Sequence, residues 1–252
     1  GSNSFEALNE PIILDGPYSN SAFDIVCKND KVYMIIGGKD LLNGKRFDKG
    51  GYILTYDYDK WSFIDPKEAQ KKLNLPRNPR DYTSIAVTTD DSNDEIVYAS
   101  SMGDGVIQYK NGTPVQSYNE KNAFKETAGG YGSGYCYIDG LAFDKNGNLW
   151  MTSSEVNHAV LVLDKAGAWH RLDIEQLRGV YTINDILITS TNDKWIYVPR
   201  NTPKLVMIPN SESLDEVSSY EFTTLIDTDG KELTPSNYTC VAEDKDGYIW
   251  VG

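Results

Sequence analysis

Ile138-Asp-Gly-Leu-Ala-Phe-Asp-Lys-Asn-Gly-Asn-Leu-Trp-Met-Thr152 is the stretch that decides the fold, because it recurs as Tyr238-Thr-Cys-Val-Ala-Glu-Asp-Lys-Asp-Gly-Tyr-Ile-Trp-Val-Gly252. Each copy reads as an alternating strand, a polar turn and a second strand with a central tryptophan. Asn-Gly and Asp-Gly supply the positive φ angles of a tight hairpin turn. An aromatic in mid-strand suits a sheet packed between two others.

Weaker copies lie at residues 23–36, 82–100 and 182–198. Aligning all five puts Tyr33, Tyr98, Trp150, Trp195 and Trp250 at one position, as structural aromatics of the repeat. Their spacings of 65, 52, 45 and 55 residues bracket the blade length of a β-propeller. Most copies continue with two more strand-like segments, at 51–56 and 60–64, 105–109 and 113–118, 159–163 and 168–172, and 204–208 with 219–223. A four-stranded antiparallel sheet cannot bury both faces alone, so such units must stack.

The expected fold is therefore all-β: a propeller of four-stranded antiparallel blades, with units near 22–64, 82–118, 137–172, 181–223 and a partial one at 238–252. The whole of 1–252 reads as one propeller region, and residues 11–14 as an outer strand. Four to five blades lie at the low edge of the propeller range. Either the two ends close a composite blade or the chain is a fragment of a larger propeller; the second is expected. Helix is scarce. Pro66-Lys-Glu-Ala-Gln-Lys-Lys-Leu73 has proline near its start and good helix formers after it. Residues 174–177 read as a single turn.

The chain has 24 basic and 37 acidic residues, a net charge of −13. Phosphate-backbone binding needs a basic footprint, so nucleic acid is excluded as a general partner. The longest apolar run, Ala159 to Leu163, is too short to span a membrane. Cys27, Cys136 and Cys240 are an odd, scattered set, which points to buried small residues rather than a disulfide frame or a metal site. The opening Gly1-Ser2 reads as a cloning remnant, with any signal peptide already removed.

Loop lengths are asymmetric. Turns between first and second, and third and fourth, strands are short. Loops on the opposite face are long: residues 37–50, 67–81, 119–135 and 211–237. Insertions gathered on one face mark a binding face. Residues 37–50 carry four basic and two acidic residues, and 67–81 five and two, whereas 211–237 carry seven acids and one lysine. A half-basic rim on an acidic protein suits an anionic glycan or an acidic protein partner. Arg46, Arg80 and Arg200 are the candidate cations. Tyr131 and Tyr135, in a glycine-rich loop with no Gly-Lys-Ser/Thr, are candidate stacking residues.

Catalytic signals are thin. His158 and His170 are the only histidines, and no nucleophile set is assignable. Asp227-Thr-Asp-Gly230 and Asp244-Lys-Asp-Gly247 lack the full calcium-loop pattern and read as hairpin turns. No catalytic residue, metal or cofactor is expected.

The Asp-Lys-Asx-Gly-x-(Leu/Ile)-Trp signature resembles the two-component-regulator propeller repeats of Bacteroidetes surface and periplasmic proteins. Gly16-Pro-Tyr-Ser-Asn-Ser21, Thr83-Ser-Ile-Ala-Val87 and the stretches from Asp139 and Ala242 resemble PorZ-like proteins of the type IX secretion system. Those are built of two propellers and a small C-terminal β domain; this chain has neither the second propeller nor that domain. The resemblance implies a non-catalytic docking or scaffold module at the cell surface or in the periplasm. Its partners would be a surface glycan, such as an anionic lipopolysaccharide, or protein components of a secretion complex. The alternatives are a sensor propeller of a hybrid two-component regulator, binding polysaccharide fragments, and a polysaccharide lyase or glycosidase.

Overall fold

The computed structural model describes residues 16–41, 43–124 and 134–252. Four four-stranded antiparallel blades follow one another in chain order. The first is β1 (Ala22–Lys28), β2 (Lys31–Ile36), β3 (Ile53–Asp57) and β4 (Lys60–Ile64). The second is β5 (Tyr82–Thr89), β6 (Glu95–Gly103), β7 (Gly105–Lys110) and β8 (Thr113–Tyr118). The third is β9 (Cys136–Phe143), β10 (Leu149–Ser153), β11 (Val160–Leu163) and β12 (Trp169–Leu172). The fourth is β13 (Ile186–Ile188), β14 (Lys194–Val198), β15 (Lys204–Ile208) and β16 (Tyr220–Phe222). A small hairpin, β17 (Leu225–Ile226) with β18 (Glu232–Leu233), precedes a two-stranded unit, β19 (Val241–Glu243) with β20 (Ile249–Val251). The segment at 11–14 lies outside the described residues.

The first strand of each blade packs against the first strand of the next: β1 on β5, β5 on β9 and β9 on β13. The blades thus form an arc around an axis, and apolar side chains fill the spaces between them. Tyr33, Ile35 and Ile53 meet Tyr82, Ile85 and Val97 between the first two blades. Trp150, Val160 and Val162 meet Ile186, Ile196 and Val206 between the third and fourth. The inner strands of the second and third blades are buried almost along their whole length, because neighbouring blades cover both faces of their sheets.

The turn that defines the repeat is held by one carboxylate. Asp144 accepts from Asn146 N, Asn148 N, Asn148 Nδ2 and Trp150 Nε1, all at 2.9 Å. Asp244 does the same for Asp246 N (2.9 Å), Tyr248 N (3.0 Å) and Trp250 Nε1 (2.8 Å). Gly147 and Gly247 both sit at φ +85°, the left-handed region that L side chains avoid. Asp227 caps the β17–β18 turn through Asp229 N and Lys231 N.

The helix α1 (Pro66–Leu73) joins the first two blades. Asp65 caps it by accepting from Lys67 N, proline opens it, and Asn74 closes it in the left-handed conformation. Its buried Ala69 faces the core and the helix lies against β8. A single 3₁₀ turn spans Glu175–Leu177.

One expectation is corrected. Only Cys136 is buried; Cys27 and Cys240 are exposed. Cys27 points away from the covered face of β1, and Cys240 precedes a unit with no further strand packed on it among the described residues.

Candidate functional site

The registers make the five blade positions comparable. Val26, Ala86, Ala142, Leu187 and Ala242 lie opposite Tyr33, Tyr98, Trp150, Trp195 and Trp250. These aromatics therefore share one position, but not one environment: Trp150 is 1% exposed and Trp250 65%.

Two residues before the position opposite each aromatic stand Asp24, Ser84, Gly140, Asp185 and Cys240. Three before it stand Phe23, Thr83, Asp139, Asn184 and Thr239. The second set converges from all five units on one axial well of about 200 Å³. Asp24, Asp185, Lys39, Leu41 and Tyr197 complete its wall.

The upper set clamps blade to blade. Asp24 Oδ2 accepts from Ile85 N (3.1 Å), and Ser84 Oγ accepts from Leu141 N (3.1 Å). At the next step glycine has no side chain to offer, and Ile186 N donates instead to Asp185 Oδ1 (2.8 Å). Gly140 is needed there for space: a β-carbon would stand 2.7 Å from both Asp185 Oδ1 and Ile186 N. Thr152 Oγ1 accepts from Gly140 N and donates to Asn184 O, each at 2.8 Å.

Lys39 enters this well from the loop 37–50. It is 3% exposed, forms an ion pair with Asp139, and donates to Ile183 O (3.1 Å). Ser154 Oγ donates to Asp139 Oδ2 (2.6 Å) and accepts from Ile183 N (2.8 Å). Burial pushes the Asp139 carboxyl up to about 6, against the opposing pull of Lys39. Asp185 stands open at the well's mouth yet is ringed by protein. That desolvation, and then the charge of Asp24, push its carboxyl up to about 7. Burial also raises Asp24. The Asn184 carbonyl oxygen has no hydrogen-bond partner, although the residue is 3% exposed, while its amide faces the Tyr197 hydroxyl. The neighbouring Tyr197 hydroxyl donates to Thr239 O (3.1 Å).

Above the well the sequence-predicted cations gather on one rim. The loop 37–50 is pinned by a Lys39–Arg46 bridge and by Lys49 N donating to Asp81 Oδ1 (2.9 Å). Arg46 pairs with Asp48, lies 3.6 Å from Asp81 and bonds the Tyr135 hydroxyl. A Gly50–Arg80 bridge ties the loop to the segment after α1. The far tip reaches the fourth blade, where a β-carbon on Gly44 would stand 3.2 Å from Arg200 Nη2 and 3.4 Å from Thr182 Oγ1. Arg200 lies 5.6 Å from the centroid of the exposed Tyr181 ring. Arg46, Arg80, Arg200 and Tyr135 thus share the long-loop face; Tyr131 lies outside the described residues.

Sequence reasoning counted Lys39 among rim charges, whereas the structure buries it. It also missed Asp24, Asp139, Asn184 and Asp185. Their shared position, three or two residues before the one facing the aromatic, was the available signal, but the residue type there changes from blade to blade.

Residues 232–252 match the two component regulator propeller family. A search of curated proteins finds no match. The fold is similar to that of PorZ, a surface component of the type IX secretion system of Porphyromonas gingivalis, with a TM-score of 0.81 and 20% identity. That match covers 96% of this chain and 33% of the PorZ chain. It is also similar to the extracellular domain described as that of a hybrid two-component system of B. thetaiotaomicron, at a TM-score of 0.53 and 17% identity, over 93% of this chain and 32% of that one. The chain therefore spans about a third of the length of both, and its fold is that of a β-propeller, with one regulator-type repeat matched at residues 232–252.

Proposed function

We propose that this chain is a non-catalytic docking and ligand-binding module of an extracytoplasmic propeller, with a role like that of PorZ, and that its long-loop face recognises an anionic surface glycan. The observation that carries this reading is the rim itself. Among the described residues neither Arg80 nor Arg200 forms an ion pair, while Arg46, Lys49 and Lys39 hold the loop that brings Gly44 to Arg200. A guanidinium beside an exposed tyrosine offers charge and a stacking face to a charged sugar. No described helix is long and apolar enough to cross a membrane.

The test is a binding screen against lipopolysaccharides and acidic polysaccharides at low and moderate salt. Saturable, salt-sensitive binding weakened by Arg80→Ala and Arg200→Ala supports the reading. Binding to neutral oligosaccharides alone supports the sensor role instead, which the likeness to a two-component extracellular domain favours. Cleavage of any polysaccharide overturns the non-catalytic reading. Silence throughout moves the partner to a protein component of a secretion or signalling complex.

A further inference from the structure

The axial well is chemically unlike the rim above it. Three carboxylates, Asp24, Asp139 and Asp185, face it with one ammonium. Asp139 takes that ammonium, with Ile183 O as its second acceptor. Asp24 and Asp185 are left with hydrogen bonds from neutral groups only: Asp24 from Ile25 N, Ile85 N and Ser84 Oγ, Asp185 from Ile186 N. Two like charges facing a common, partly desolvated space repel, and a cation placed between them relieves both.

A second observation is independent of charge. Asn184 is buried in the wall with its carbonyl oxygen unused, while its amide faces the Tyr197 hydroxyl. Buried carbonyl groups in native proteins ordinarily have a partner. Phe23, Leu41 and Tyr197 add apolar surface beside these polar groups. The volume of about 200 Å³ equals roughly six or seven waters at about 30 Å³ each. That is room for one ammonium or guanidinium head on a short aliphatic stem, and too little for a chain of sugars. Among the described residues no cluster of acids is close enough to hold a metal ion.

We infer that the axial well is a binding site for a single organic cation, an ammonium or guanidinium group whose head lies between Asp24 and Asp185, donates to the Asn184 carbonyl as a third contact, and rests its stem on Phe23 and Tyr197. The cation comes either as a free small amine, such as an amino sugar, or as a lysine or arginine side chain presented by a peptide. Both use the same contacts. The site is separate from the anionic-glycan rim, and Arg80→Ala and Arg200→Ala leave it intact.

The test is calorimetric titration of the full chain with butylammonium, N-methylguanidinium, glucosamine and a Gly-Arg-Gly peptide, with N-methylurea and N-acetylglucosamine as uncharged controls. Expected is saturable binding of the cations at millimolar concentration, absent for the controls, and weakened roughly tenfold by Asp185→Asn, the loss of one charge-assisted contact. Asp185→Asn keeps an oxygen for Ile186 N and so keeps the fold; Asn184→Leu is the second variant, expected to weaken binding while leaving urea unfolding unchanged or stabilised. Tighter binding of glucosamine identifies the free amine, and tighter binding of the peptide identifies the side chain. No cation binding to the wild-type chain, equal binding of N-methylurea, or indifference to Asp185→Asn overturns the inference. The wild-type comparison of charged and uncharged probes decides the matter even if a variant fails to fold.

Discussion

Asp144 and Asp244 are the same residue of the repeat in two solvents. Around Asp144 the partners are buried, and Trp150 Nε1 has no water to turn to. Asp144→Ala should cost about 2–4 kcal/mol, several net hydrogen bonds and one orphaned buried donor. Asp244→Ala should cost about 1 kcal/mol or less, because exposed groups exchange their bonds for water. Urea unfolding of the two variants checks the contrast. Lys39 gives a sharper case. Lys39→Met strands the buried Asp139 carboxylate and should cost about 3–5 kcal/mol. Adding Asp139→Asn, which still accepts from Ser154, should restore most of it; a double variant no more stable than Lys39→Met would show that the pair is not what holds the loop. His170 supplies a pH test. It lies between Asp164 (3.0 Å) and Asp215 (3.4 Å), and the bond to Asp164, foremost, raises its pKa above the ordinary value. A cationic group with a raised folded pKa contributes stability that is full below its unfolded value of about 6.5 and is lost as pH rises through the folded one. Protection factors of the amides at residues 211–219, corrected for base-catalysed intrinsic exchange, should therefore fall above neutrality. His170→Gln should remove that pH dependence, and an NMR titration should show the raised pKa directly.

Each blade is legible in the sequence because a four-stranded sheet repeats a short code: alternation, a capped turn, an aromatic in mid-strand. The helix at Pro66–Leu73 was equally plain, since its cap, its proline and its charges are local signals. The stacking of one blade on the next was not, because it depends on which small or polar residue each inner strand offers its neighbour. Gly140 shows this. Nothing in Ile138-Asp-Gly-Leu141 announces that the next blade passes within contact distance, yet a methyl there meets Asp185 and Ile186. Gly140→Ala should cost about 1–3 kcal/mol by overpacking, against a few tenths for alanine at the exposed Gly16, whose β-carbon would meet nothing within 4 Å. Thermal unfolding of Gly140→Ala checks it, and an unchanged transition would mean the interface yields freely.

Across the whole molecule, the face of the long loops was readable from loop length alone, and four of the candidate residues stand on it. The well beneath was not, since its residues come from five units scattered along the chain and have no common type. Charge counting on the loop 37–50 also misled in one respect. It treats every lysine as solvated, whereas Lys39 is the loop's anchor and only Lys45 and Lys49 face solvent. Burial of a lysine inside an otherwise basic loop needs tertiary partners that no local pattern shows. The repeat predicts stacked, nearest-neighbour order; the loop adds a link that skips a blade, from the first to the third and fourth.

That link sets an order of events for a chain delivered N-terminus first. Lys39 precedes Asp139 by 100 residues and Ile183 by 144. A β-hairpin closes in about 1–10 μs once its residues are present, so the first blade has its strands long before the anchor has its socket. Until then the ammonium must wait in water. The ion pair with Asp139 can close when the third blade arrives, and the bond to Ile183 O only when the segment leading into the fourth follows, so full docking of Lys39 reports that the arc has been assembled in sequence.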